Sequence, residues 1–163
     1  MTGRHWVAIL GAAAARAALR AELREVALPE GAMSPSPGDR VAVVTLPAVA
    51  LVGVATVARI RPEGRTLHLR DRSRAPAGHA VDLLALRPRP SFAVPWTRER
   101  LADLAGTYVP IGERDASRIT DALRARALEF GPPAKRPAHA KARSPGRRAL
   151  IQGRAASGRL RAR

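Results

Sequence analysis

The order of apolar runs and turns predicts an α+β domain with an antiparallel, barrel-like sheet and flanking helices. Three observations lead there. A short apolar run leads into a helical pattern, several strand-like runs then follow one another with no helix between them, and helical patterns close the body. Strands that follow one another directly favour antiparallel pairing, because parallel neighbours need a crossover connection. No internal repeat is visible.

The first stretch, HWVAILGAAAARAALRAELREV (5–26), allows two readings. Arg4 followed by ten apolar or small residues could start a secretory leader. Beyond it, however, Arg16, Arg20 and Arg24 recur every four residues, with Leu19, Leu23 and Val26 on another side. That spacing is helical and runs past any plausible cleavage point. Trp6–Leu10 is short and carries Val and Ile, which suits a buried strand. Gly11 then permits the change of direction. The expectation is a strand followed by a helix that continues towards Val26.

Next, PSPGDRVAVVTLP places a turn at Ser36–Gly38 and a strand from Val41 to Leu46. AVALVGVATVARI gives a longer strand from about Val49 to Ile60. RPEG, with Pro second and Gly fourth, suits a type I turn. RTLHLRD alternates, with Leu67 and Leu69 on one side and Thr66, His68 and Arg70 on the other, which predicts a hairpin. RSRAPAG reads as a loop and residues 79 to 87 as another strand. Thr97 can cap a short helix through Ala105. A longer helix is predicted from Glu113 to Phe130, with Ile119, Leu123 and Ala127 aligned, acids near its start, and Gly131-Pro132-Pro133 stopping it.

Charge divides the chain into 1–131 and 132–163. The formal net charge is +16, but all 13 acidic residues lie at or before Glu129. Residues 132–163 hold 10 of the 29 Lys and Arg and no acid, so they carry +10 and the body +6. This terminal stretch is rich in Pro, Gly, Ala and Arg, and it cannot bury enough apolar surface to offset its ordering entropy. It is predicted to be a disordered basic arm. Two lysines against 27 arginines, with no Asn, point to GC-rich coding, which accounts for part of the arginine excess.

Several classes of function lack support. No run reaches the roughly 18 apolar residues of a membrane-spanning helix, so no membrane partner is expected. Zero cysteines give no disulfide framework and no thiolate metal site, which fits a cytoplasmic protein. His5, His68, His79 and His139 show no metal-ligand spacing, and there is no P-loop, G-x-S-x-G or G-x-G-x-x-G. No catalytic residue, metal or cofactor is therefore assigned. Cations are the stronger signal: Arg16, Arg20 and Arg24 form one stripe, Arg72 and Arg74 sit in the presumed loop, and Arg147 and Arg148 lie in the arm. Convergent cations are what phosphate binding requires. A solvated face is the alternative for each stripe.

Taken in order, the segments resemble the EVE-type branch of the PUA-like domains. HWVAIL is similar to its aromatic-bearing first strand, PSPGDRVAVV to its Gly-Asp strand, and LVGVATVARI to the Gly-containing strand that follows. VDLLALRPRPSFAVPWTRERLADLA and YVPIGERDASRI resemble its closing strand, Pro-rich connection and final helix. The resemblance spans residues 4 to 129. It implies a PUA-like antiparallel pseudo-β-barrel that binds DNA or RNA and takes a flipped or modified base into a pocket. Among only five aromatics, the resemblance places Trp6 beside that pocket, with Thr45 near its mouth and Trp96 and Tyr108 as further candidates. Trp6 filling the barrel end, Trp96 stapling a helix and Thr45 as a plain strand residue are the structural alternatives. Two features depart from the pattern. The polar Trp- and Asn-containing loop of longer members is Ala-rich here, and the G-x-K-x-x-E-x-R motif of the related ASCH branch is absent.

The expected function is a nucleic-acid-binding reader, with the arm adding phosphate affinity. The alternatives are a nucleotide-directed enzyme using His68 or His79 with an aspartate, and a ribosome- or nucleoid-associated protein that binds through the arm alone.

Overall fold

The computed structural model describes residues 3–28, 33–61, 63, 65–97, 100 and 102–131. The arm, with Arg147 and Arg148, lies outside the described residues, as do Pro62 and Gly64 of the expected hairpin turn.

Strand β1 (His5–Leu10) runs through Gly11 into helix α1 (Ala12–Arg20). The helix stops six residues sooner than its arginine spacing suggests. Glu22 and Leu23 take φ of 54° and 56°, a left-handed conformation that a helix cannot continue through. Leu23 thereby turns inward and becomes fully buried. The chain then forms a short strand, β2 (Glu25–Ala27), which the helical pattern had concealed. Arg24 is consequently not on the helix, and the predicted three-arginine stripe is reduced to Arg16 and Arg20.

The Ser36–Asp39 turn is as expected. Asp39 N donates to Ser36 O at 3.0 Å, and Gly38 at φ 93° occupies the third position, which a type II turn reserves for residues tolerating positive φ. Three antiparallel neighbours follow: β3 (Arg40–Thr45), β4 (Ala50–Arg61) and β5 (Thr66–Arg74). The last is longer than its alternation implied, so Arg72 and Arg74 lie on a strand and not in a loop. The strand expected over 79–87 is only β6 (Val81–Asp82), because Asp82 Oδ1 accepts from Leu84 N at 2.8 Å and turns the chain. A single helix over Thr97–Ala105 is not seen. Short 3₁₀ turns stand at Ser91–Ala93 and Ala102–Leu104, with residues 98, 99 and 101 outside the description. Strand β7 (Thr107–Ile111) precedes helix α2 (Glu113–Phe130), which has the predicted bounds.

The sheet is ordered β2-β5-β4-β3-β1-β7, with β6 on β4. It is mixed and not purely antiparallel. β1 and β3 run parallel, with Trp6 opposite Val41 and Leu10 opposite Thr45, because α1 returns the chain to the end where β1 began. The sheet curls enough for its two edges to meet, since the Tyr108 hydroxyl on β7 donates to Ala27 O on β2. The result is a curled half-barrel with two helices. Apolar residues on one side (Ala8, Leu10, Val41, Val57, Leu67) cluster with Ala15 and Ala18 of α1. Those on the other (Val7, Ile9, Val44, Leu51) cluster with Ile119 and Leu123 of α2. The helices thus cover opposite faces, the arrangement that buries both sides of a sheet. Asp115 joins α2 to the Pro-rich connection: its Oδ2 accepts from Ser91 N at 3.0 Å, while Oδ1 is answered only by Arg118 at 3.7 Å.

Candidate functional site

Cations gather where β5 is irregular. Gly53 pairs with Arg74, Val54 with Ser73 and Thr56 with Arg70, so Asp71 and Arg72 together face the single residue Ala55. Asp71 has φ 48°. This is a β-bulge, which breaks the alternation of side chains and re-aims those that follow. Arg72, Ser73 and Arg74 all line a groove of ≈ 410 Å³ between the end of β5 and α2. Arg40, at the start of β3, and Arg124, on α2, line it too.

Four arginines from three elements, β3, β5 and α2, therefore share one groove. Among the described residues its one lining acid is Glu22, which lies 3.6 Å from Arg24. Arg124 is 3.7 Å from Asp121, an exposed pair of little worth. Among the described residues, Arg40, Arg72 and Arg74 make no ion pair. Uncompensated cations converging on a concave surface raise the local concentration of anions, and five donors on each guanidinium suit phosphate oxygens. Ser73 and Thr120 add hydroxyls to the lining.

The residues expected to hold a base are not brought together in a pocket. Trp6 is 3% exposed, and its Nε1 donates to Asp39 Oδ2 at 2.8 Å. The cavity beside it is ≈ 10 Å³, room for about one water and not a base. Tyr108 is 8% exposed; burial raises its pKa, and its hydroxyl serves as the sheet's edge-to-edge tie. Trp96 is 7% exposed and sits edge-on to Phe92 at 5.2 Å, in the cluster on the α2 side. All three rings are used in packing. Thr45 closes the β3–β4 turn, with Oγ1 3.4 Å from Ala50 O.

Asp39 explains the start of β3. Its carboxylate accepts from Arg4 N (2.8 Å), Trp6 Nε1 (2.8 Å) and Ser36 N (2.9 Å). Burial pushes its pKa up, but these donors and the Arg4 charge outweigh burial and hold it below the ordinary value. It joins the turn to β1 and takes no part in the groove.

The other expected residues are scattered. Arg16 and Arg20 are exposed on α1 and do not line the groove. His68 Nδ1 is 3.3 Å from Glu25 Oε1 across the β2–β5 pair. His79 stacks on Phe130 with centroids 3.8 Å apart and planes 10° from parallel. Neither histidine is paired with an aspartate among the described residues. Sequence reading found Arg72 and Arg74 but missed Arg40 and Arg124. Nothing local marks these two, since only the packing of α2 across the β3 side of the sheet joins them.

No protein-family model and no curated protein matches the chain. Among solved structures it is similar to ASCH from Zymomonas mobilis, with a TM-score of 0.52 at 11% identity, over 72% of this chain and 94% of that one. A single-residue variant of the same protein gives 0.49 at 10% identity, over 74% and 96%. The similarity to the first is one of fold, and the fold is the barrel-like ASCH and PUA-like one. The expected barrel-like α+β architecture stands at that level. The chain has this fold without the G-x-K-x-x-E-x-R motif of the ASCH branch.

Proposed function

We infer that the protein binds nucleic acid, holding the phosphate backbone in the groove between β5 and α2 with Arg40, Arg72, Arg74 and Arg124. The observation that carries this reading is the convergence of these arginines, three of them without an acidic partner among the described residues. Nucleic acid is also the partner that the EVE-type resemblance of the sequence implies. The +10 stretch beyond Gly131 adds sequence-independent attraction for the same polyanion. The protein acts as a binding module in the cytoplasm, and the groove serves to hold a strand.

Affinity for a short oligonucleotide, measured by fluorescence anisotropy over a range of salt, tests the reading. Each phosphate contact contributes close to one unit of slope in log affinity against log salt. Arg72→Ala should weaken binding and lower the slope by about one unit, and adding Arg74→Ala should lower it by about one more. Unchanged affinity and slope in the double variant would remove the groove from the mechanism.

A further inference from the structure

A second hollow adjoins the arginine groove and has the opposite chemistry. It is ≈ 470 Å³ in volume, within the range of small-molecule sites. Leu19 of α1, Val52 of β4, residues 75–78 and Ala80 form its walls, and Arg74 is the only charged residue among the described residues that line it. Arg74 also lines the arginine groove, so the two spaces meet at that side chain. The wall is built rather than loose. Ala75 N donates to Val52 O at 2.9 Å, His79 N donates to Pro76 O at 3.0 Å, and the His79 ring lies flat on Phe130. Leu19 is 49% exposed at its edge, the kind of large aliphatic that a soluble helix ordinarily turns inward.

We propose that this hollow receives the sugar and base of one nucleotide of a single strand whose phosphates lie in the arginine groove. The proposal rests on the nucleic-acid reading above. Continuity selects the occupant: a ligand with a charged linkage at Arg74 and an apolar, flat portion next to it fills both spaces at once. A nucleotide has that shape. In a duplex the bases are stacked and paired, and none can enter a hollow without leaving the stack. The site therefore favours single strands. Its tolerance follows from the same lining. Apart from Arg74, no side chain among the described lining residues can donate or accept a hydrogen bond, so side chains do not read base edges and discrimination among bases is small. This differs from selective capture of a modified base between aromatic rings.

The test uses the full chain and four ligands: short oligothymidylate, oligouridylate, an abasic strand of the same length, and a hairpin duplex. The base-bearing strands should bind about tenfold more tightly than the abasic strand or the duplex, the gain from burying roughly 55 Å² of apolar surface. Oligothymidylate and oligouridylate separate DNA from RNA as the source of the strand. Leu19→Gln should reduce the base-dependent factor towards one while leaving the salt slope intact. Ala77→Gln, on the exposed wall, should do the same and serves if the first variant melts early. Equal affinity for base-bearing, abasic and duplex ligands, with Arg72→Ala still weakening all of them, overturns the hollow and keeps the groove. Binding to every ligand unaffected by Arg72→Ala overturns the groove instead. A base-dependent factor that survives both hollow variants overturns this assignment of the site.

Discussion

Replacing Asp39 by Asn keeps the shape of the side chain and removes its charge. The carboxylate receives three N–H donors: Oδ2 takes Trp6 Nε1 and Ser36 N, and Oδ1 takes Arg4 N. An amide has one acceptor oxygen. If that oxygen stays with Trp6 and Ser36, the NH₂ group meets the Arg4 N–H donor to donor. One bond to a charged acceptor is lost, at roughly 1.5–3 kcal/mol, and two others lose their charge assistance. A loss of about 3 kcal/mol is expected, a large fraction of the 5–15 kcal/mol typical of a domain. The pH dependence has a definite sign. The folded pKa of Asp39 lies below its ordinary value of 3.8, so its contribution is complete above that value and is lost as pH falls through the lower, folded one. Urea unfolding of both proteins should show the full gap near neutral pH and convergence below about pH 4. Trp6→Phe, which removes only the indole donor, should cost about 1–2 kcal/mol and raise the Asp39 pKa. A gap for Asp39→Asn under about 1 kcal/mol, or one that persists unchanged into acid, would refute the account of Asp39 as the tie between β1 and β3.

Gly53→Ala should destabilise the domain by about 1–3 kcal/mol in the same urea assay, because its new Cβ would stand 2.5 Å from Leu23 Cδ1 and 2.8 Å from Ser73 O. Tyr108→Phe should lower stability by about 1 kcal/mol and speed hydrogen exchange at β2 and β7 before the central strands, since it cuts the tie between the two edges. Truncation after Gly131 should flatten the salt dependence of binding, and an unchanged slope would make the arm a passive appendage. Mass spectrometry of the protein from its native source should recover the first 20 residues, because β1 is flanked by β3 and β7 and its removal would open both apolar clusters.

Regular elements were legible where one periodicity governs a long enough run. The 18-residue helix α2 and the long strand β4 are of this kind, and the Gly38-Asp39 turn carries its own local chemistry. Short elements were not. Glu25–Ala27 is three residues long and lies on the extrapolated helical pattern. It becomes a strand because Leu23 turns under Gly53 and Val26 pairs with Leu67, contacts that no local pattern announces. Thr107–Ile111 contains Pro110, a residue that argues against a central strand but suits an edge, which is where β7 lies. The parallel pairing of β1 with β3 was hidden for a related reason, since it depends on where α1 delivers the chain. The aromatics show the opposite error. Trp6 and Tyr108 were rightly picked out as unusual, but each hydrogen-bonding tip is spent on the fold, on Asp39 and on Ala27 O.

The candidate site includes an irregularity in β5, the strand that carries its two legible arginines, while Arg40 and Arg124 join them only through the packing of α2. In a regular β5, Arg70, Arg72 and Arg74 would follow His68 on one face, pointing away from Leu67 and Leu69. The bulge at Asp71 and Arg72 breaks this alternation. After it, Ser73 stands opposite Val54, which belongs to the α2-side cluster, and Arg74 stands opposite Gly53. Gly53 presents no side chain, and Leu23 and Ser73 O already crowd it, so Arg74 has no bulky cross-strand neighbour there. Arg72 and Arg74 both line the groove that α2 walls with Arg124 and β3 with Arg40, and Arg74, at the end of the strand, also lines the hollow beside α1. The bulge sits within this cluster, at a strained position whose non-glycine residue has positive φ. Such positions persist when the surrounding structure holds them in place. Asp71→Gly would relieve that backbone while keeping every arginine, at the loss of only an exposed Arg70–Asp71 contact of 3.5 Å. If the groove works as inferred, this variant should keep or gain stability, and it should retain its salt slope as long as the bulge remains. Closing the bulge by deleting Asp71 should set Arg72 directly opposite Ala55, on the side of the α1 cluster, and cost the slope of Arg72, even though every arginine is still present.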